Sequence, residues 1–322
     1  MSELRILLAG ATGTIGRAVA AELAGRGHDV TCLVRHDPGD LPQAAQASLA
    51  VPDGARFDAV VSCIASRTGV ATDAWAVDHR ANLAVLETAR ACDATRFVLL
   101  SAICVQKPEL AFQHAKLAFE GDLRASGLDW TIVRPTAFFK SLSGQVARVR
   151  AGKPFLVFGN GRATACKPIG DRDLAAFIAD TLIDPSARNA ILPIGGPGPA
   201  ITPLDQVAIL SDLLDRPVKT KHLPTRMMDA IVAGLTLAGR VVPRLRAKAE
   251  LARIGRYYSR ESMLVWDAAT RTYDADATPE YGAETLRDHY AALLDGRRVH
   301  DAGHQQVFRP ARADGAKQRS GT

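Results

Sequence analysis

The run RILLAGATGTIGRAVAAELAGRG, residues 5–27, leaves this chain few folds to choose from. A short apolar run of β type enters a glycine-spaced loop and leaves it with helical spacing and a glycine stop. Gly10 permits a tight turn, Gly13 lets a backbone approach a diphosphate, and Gly16 lets the helix pack on the strand. The helix N-terminus then presents free N–H groups to an anion. Such a unit needs parallel neighbours on both sides, so the rest of the chain must supply them.

It does so through residue 135. Strand patterns at 29–35, 57–65, 96–102 and 129–135 alternate with helical ones at 79–93 and 111–127. The expected fold is α/β: a Rossmann-type doubly wound parallel sheet with a smaller, mainly helical C-terminal substrate region. Residues 1–150 are expected to form the dinucleotide-binding domain, with strands returning to it from 153–200. Within that return, KPFLVFGNGRATACKPI reads as a hairpin turning at Asn160-Gly161, and Asp171 or Asp173 reads as the cap of the next helix. Residues 201–300 read as a helical lid, and 309–322 as a disordered basic tail.

Charge and cysteine usage narrow the class. Much of the net charge of +6 is concentrated in two segments, 240–256 and 309–322. That pattern argues against a nucleic-acid-binding surface. Five scattered cysteines with no C-x-x-C pair fit a reducing, cytoplasmic setting and give no metal site. The opening residues run straight into a strand, so no signal peptide is expected. The uncharged stretch 230–239 is too short to span a bilayer and reads as a buried or interfacial helix.

The second strand ends in Arg35, where an acid would select NAD. A guanidinium there suits the 2′-phosphate of NADP, so the expected cofactor is NADPH. Further on, Ser101 ends a strand and Lys116 lies one helical turn after Phe112. Short-chain dehydrogenases keep Tyr-x-x-x-Lys at this place. Phe112 has no hydroxyl, which disfavours carbonyl reduction. Hydride addition to a conjugated carbon–carbon double bond, or dinucleotide sensing without turnover, does not require that hydroxyl. Lys116 is read as a nicotinamide-ribose contact, with an ion pair to Glu120 as the structural alternative.

Beyond these motifs, SAICVQKP (101–108), FQHAKLAFE (112–120), TIVRPTAFFKSLSGQV (131–146), FGNGRATACKPI (158–169) and IGRYYSRESML (254–264) follow one family. The chain resembles the NADPH-dependent 8-vinyl reductases of chlorophyll and bacteriochlorophyll synthesis, atypical short-chain dehydrogenases related to NmrA-like and isoflavone-reductase proteins. Phe112 looks like that family's usual residue.

The resemblance implies reduction of the 8-vinyl group of a divinyl chlorophyllide or protochlorophyllide, a magnesium tetrapyrrole, to ethyl. It implies cofactor contacts from Gly10, Thr12, Gly13, Thr14, Ile15, Gly16 and Arg35, continued by Ser66, Ser101, Lys116, Pro135 and Thr136. Phe112, Phe138, Phe139 and Lys140 are expected to face substrate, and Tyr257 or Tyr258 to supply the proton. A lid beside the basic segment 240–256 would allow peripheral contact with photosynthetic membranes. The rival from another class is a non-catalytic NADP(H)-sensing or assembly protein of the NmrA-like kind.

Overall fold

The computed structural model describes residues 3–35, 41, 45–48, 50–51, 54–242 and 244–297. The segment expected to be a basic tail therefore lies outside the described residues.

The first half runs β1 (Arg5–Ala9), α1 (Thr14–Gly25), β2 (Asp29–Leu33), β3 (Ala45–Ser48), β4 (Ala59–Ser62) and α2 (Ala71–Ala74). A π-helical segment, Trp75–Ala81, joins α2 to α3 (Asn82–Ala91). Then follow β5 (Arg96–Leu100), a 3-10 turn at Ile103–Gln106, α4 (Ala111–Arg124) and β6 (Asp129–Pro135). The second half runs α5 (Phe139–Leu142), α6 (Val146–Arg150), β7 (Phe155–Phe158), α7 (Asp171–Ile183) and β8 (Ala190–Ile194). After it come α8 (Pro203–Leu213), β9 (Thr220–Leu223), α9 (Thr225–Val241), α10 (Arg244–Tyr258), β10 (Val265–Asp267), β11 (Thr272–Asp274) and α11 (Leu286–Leu294).

Seven strands form one parallel sheet in the order β3-β2-β1-β4-β5-β6-β8. Alternate residues of each strand point to opposite faces. Ile6 and Leu8 of β1 pack with Val19 and Leu23 of α1 and Ile178 of α7. Leu7 and Ala9 pack on the other face with Leu86 of α3 and Phe119 of α4. Both faces are covered, which is why the strands read as continuous apolar runs. Each fully buried leucine contributes about 2 kcal/mol. Strand order reverses between β1 and β4, and ligands bind such sheets at the carboxyl edge of that switch point.

Several details differ from the sequence reading. No hairpin turns at Asn160-Gly161: β7 pairs in parallel with β9, with Phe155 opposite Thr220. The ACK segment makes only isolated bridges, Cys166 to Ile201 and Cys166 to Met263. Short-range turn chemistry cannot report a partner that far along the chain. The cap of α7 is Gly170, and Asp171 and Asp173 fall in its first turn. There they still favour the helix through its dipole. The helix expected from residue 79 begins earlier, at α2. The C-terminal region carries β9, β10 and β11 among its helices.

A third core joins Phe139 and Val149 to Phe155, Leu210 and Tyr290. The Tyr290 hydroxyl donates to Leu142 O at 2.9 Å and Gln206 Oε1 at 3.0 Å. This ties α11 to α5 and α8, and so fixes the segment that leaves β6 near the site.

Candidate active site

The glycine loop after β1 is closed by Gly13 N–H donating to Gly10 O at 3.0 Å. Gly10 has φ +87°, and a Cβ there would lie 2.7 Å from the Cys63 carbonyl carbon. A Cβ on Gly16 would lie 2.1 Å from Gly10 O. The loop is therefore pressed against both β4's exit and the first turn of α1, and side chains are excluded sterically. Gly13 caps α1 without a side chain, and the first turn carries no acid. The unsatisfied N–H groups and the positive end of the helix dipole are left for an anion. This cradle fits the diphosphate of a dinucleotide. Thr12 is half-buried, Thr14 is exposed and Ile15 is buried in the core beneath.

Lys140 Nζ donates to Thr14 Oγ1 at 2.9 Å. An ammonium from α5 thus stands at the mouth of the phosphate loop, although the sequence assigned Lys140 to the substrate. Arg35 is exposed just past β2, whose last residue Leu33 pairs with Ala9 at the end of β1. It lies on the same sheet edge as the loop.

Lys116 is 8% exposed, and its Nζ lies 3.0 Å from Asp78 Oδ1. Asp78 is 1% exposed and comes from the π-helical segment between α2 and α3. Its Oδ1 also accepts from Ser66 N–H at 3.3 Å, while Oδ2 has no hydrogen-bond partner among the described residues. Asn82 supports this corner: it accepts from Ser62 Oγ at 2.5 Å and donates to Asp78 O at 3.1 Å. The loop after β4, the helix after it and α4 are thereby bound to one lysine. Cys63, beside Gly10, is pushed up to about 12 by burial, partly offset by the Lys116 charge, so it stays a thiol.

Glu120, the alternative partner of Lys116, is engaged elsewhere. It accepts from Ser101 Oγ at 2.5 Å and forms an ion pair with Arg134. The Ser101 hydroxyl is thus turned beneath α4. Pro135 and Thr136 are buried at the end of β6, where Thr136 N–H donates to Ile194 O at 2.9 Å and its hydroxyl to Lys167 O.

Of the expected substrate aromatics, Phe112 is half-buried against Ile103, Cys104 and Tyr257, and Phe138 is half-buried against the first core. Phe139 departs from expectation. It is 1% exposed, inside the third core, with the His289 ring 5.3 Å away. Adjacent residues entering a helix point in different directions, so Phe138 and Phe139 cannot present one flat wall.

The two tyrosines differ from one another. The Tyr257 hydroxyl is buried and donates toward Cys104 O at 2.9 Å and Lys107 O at 3.0 Å. Burial holds its pKa well above the usual tyrosine range. Tyr258 is 40% exposed, yet its hydroxyl turns to the Cys104 sulfur at 3.9 Å. Burial of that end also raises its pKa. Gln113, one residue after Phe112, accepts from Glu109 and Leu110 N–H at 2.8 Å and donates to Cys104 O at 3.0 Å. It fixes the start of α4. Among the described residues, no group of three His, Cys, Asp or Glu side chains is placed to hold a metal.

A parallel sheet with a glycine-closed phosphate loop at its switch point, and a buried lysine on the helix after β5, defines an NAD(P)-binding oxidoreductase of the Rossmann type. Residues 10–185 match the NAD(P)H-binding family. The fold recurs in UDP-glucuronic acid 4-epimerase of Bacillus cereus with NAD (TM-score 0.63, 16% identity, 90% of this chain and 98% of that one). It recurs also in UDP-glucose 4-epimerase of Thermotoga maritima (TM-score 0.63, 16% identity, 90% and 97%).

Sequence similarity is narrower. Chloroplastic divinyl chlorophyllide a 8-vinyl-reductase of Oryza sativa subsp. indica is 45% identical, over 95% of this chain and 83% of its own length. The Arabidopsis thaliana protein of that name is 41% identical, over 94% and 80%. The chain belongs to the divinyl chlorophyllide a 8-vinyl-reductase family.

Proposed function

We propose that this chain reduces the 8-vinyl group of divinyl chlorophyllide a to an ethyl group, with NADPH as the reductant, in chlorophyll or bacteriochlorophyll synthesis. One observation carries the reading. A complete dinucleotide cradle stands between β1 and α1, and α4 carries a buried lysine with Phe112, not a tyrosine, at the proton-donor position. That combination suits hydride transfer to carbon and does not suit carbonyl reduction.

When bound, the nicotinamide would supply hydride, and the conjugated macrocycle would take up the resulting charge. The chain's own part is positioning. Gly10, Gly13 and Gly16 let the backbone approach the diphosphate, and Lys140 offsets its charge. Arg35 pairs with the 2′-phosphate and so selects NADPH over NADH. Lys116, held by Asp78, orients the ribose. Phe112 and Phe138 offer apolar surface to the flat ring and keep water from it. Tyr257 is a poor proton donor, because its hydroxyl is already committed to two carbonyls. Water reaching the reduced substrate is the simpler source. The same reading places the chain in the cytoplasm beside a photosynthetic membrane.

The test is turnover on divinyl chlorophyllide, with NADPH and NADH compared. The expected result is loss of the divinyl absorption signature with NADPH, and preference for NADPH abolished by Arg35→Ala. Cofactor binding with an unchanged spectrum under anaerobic conditions would overturn the reaction and favour the sensing alternative.

A further inference from the structure

Helices α9 and α10 form an antiparallel hairpin that is anchored at one end and bare at the other. At the anchored end Met228 and Val232 are buried, Asp229 pairs with Arg256 and Arg260, and Tyr257 enters the core beside α4. At the far end the helices approach closely: a Cβ on Gly239 would lie 3.4 Å from Arg246 Cγ. There Leu237 is 64% exposed, Val241 84% and Val242 44%.

Leu237 and Val241 are four residues apart and share one face. Ala230, Ala233 and Gly234 extend that exposed face back along α9, and no charged residue occurs between Asp229 and Arg240. An uncharged stripe leading to a bare apolar tip is more than a scatter of single surface residues.

The charge around the tip has one sign. Arg240, Arg244, Arg246 and Lys248 are all exposed. Among the described residues, none of the four has a carboxylate within ion-pair distance. The nearby acid, Glu250, is held by Arg253. Apolar side chains at the end of a helix pair, ringed by unneutralised cations, match the acyl and headgroup layers of an anionic bilayer. A second copy of this chain matches less well, because a two-fold contact would bring the same cations face to face.

We propose that the α9–α10 tip docks this protein on anionic lipid membranes, with Leu237, Val241 and Val242 entering the acyl boundary and Arg240, Arg244, Arg246 and Lys248 meeting headgroups. The proposal does not depend on the reaction assigned above. A chain that binds vesicles but reduces nothing would fail that reading and leave this one standing.

The test is co-sedimentation of the full chain with vesicles of phosphatidylcholine alone, and of phosphatidylcholine with phosphatidylglycerol in equal parts. Binding is expected to the anionic vesicles and to weaken with salt. Arg244→Gln and Lys248→Gln should each weaken it about five-fold, and the pair Leu237→Asp/Val241→Asp should abolish it. These side chains lie outside the cofactor site, so NADPH binding by each variant, read by nicotinamide fluorescence, reports a folded protein. No binding to anionic vesicles, equal binding to both kinds, or binding unaffected in folded variants would overturn the proposal. A concentration-dependent dimer lost in Leu237→Asp/Val241→Asp would also overturn it, by assigning the tip to self-association.

Discussion

Lys116 is held 3.0 Å from Asp78, and both side chains are buried. A cation in that position serves two ends that can be separated. Lys116→Met leaves a buried carboxylate without its partner and should cost about 3 kcal/mol of stability. It should also lower turnover by about 100-fold if the ammonium orients the cofactor. Lys116→Met with Asp78→Asn removes both charges, while the amide oxygen can still accept from Ser66. The double variant should regain most of the melting temperature and stay as slow as the single one. Recovery of both would make the pair purely structural.

The glycines of the phosphate loop make a second separable pair. Gly16→Ala drives a Cβ into Gly10 O at 2.1 Å, so folding itself should suffer. Gly13 has φ −79° and ψ 164°, and a Cβ there would lie 3.4 Å from its nearest neighbour, Gly10 O. For Gly13→Ala, the poorer helix cap and the lower unfolded-state entropy offset one another to within about 0.5 kcal/mol. Its melting temperature should match the parent's. Its NADPH dissociation constant, read by fluorescence titration, should rise about ten-fold as the methyl group meets the diphosphate.

Lys140 discriminates between two ligands. Its contact with Thr14 places it at the mouth of the phosphate loop, whereas its sequence neighbourhood suggested the substrate. Lys140→Met should raise the KM for NADPH about ten-fold with kcat preserved, and should flatten the salt dependence of that KM. A rise confined to the KM for divinyl chlorophyllide would return the lysine to the substrate.

Glu280 accepts from Lys167 at 2.6 Å and from Gly198 N–H at 2.9 Å, and the Lys167 hydrogen bond holds its carboxyl below the usual glutamate range. A depressed carboxyl stabilises the fold above its unfolded value and loses that contribution as pH falls through the folded one. Glu280→Gln should therefore lower the melting temperature at pH 7. The gap from the parent should close as pH falls below about 4, because the parent then protonates the same group.

The sheet was legible because its strands are buried on both faces and read as apolar runs. β3, with the sequence AQAS, was not: three small residues and a glutamine at a sheet edge carry no periodic apolar signal. The partner of β7 was hidden by its distance along the chain. The phosphate loop and Lys116 stood out because glycine spacing and helical spacing are local. Asp78 did not, because its inward direction depends on the π-helical segment at Trp75–Ala81. The available signal was a lone acid, in WAVDHRAN, just ahead of the helix read from residue 79. Phe139 misled because its neighbour Phe138 does lie nearer the surface.

Tyr257 carries the sharpest conflict between sequence and structure. A hydroxyl in a family-typical segment invites a proton-donor role, yet this one is buried beneath α10 and committed to Cys104 O and Lys107 O. Burial holds its pKa high, which makes the proton harder to give. Tyr257→Phe removes the donor from two buried carbonyls and should cost about 1–3 kcal/mol in denaturant unfolding. Turnover by the folded fraction should stay within a few-fold of the parent, with an unchanged solvent isotope effect. A donor would behave otherwise: the variant would lose about 100-fold or more in kcat at little cost in stability. Tyr258→Phe tests the neighbour in the same way, since its hydroxyl turns to the Cys104 thiol. If both variants turn over normally, the proton reaches the reduced vinyl carbon from water, and Phe112 stands where it does because no side chain at that position has a proton to deliver.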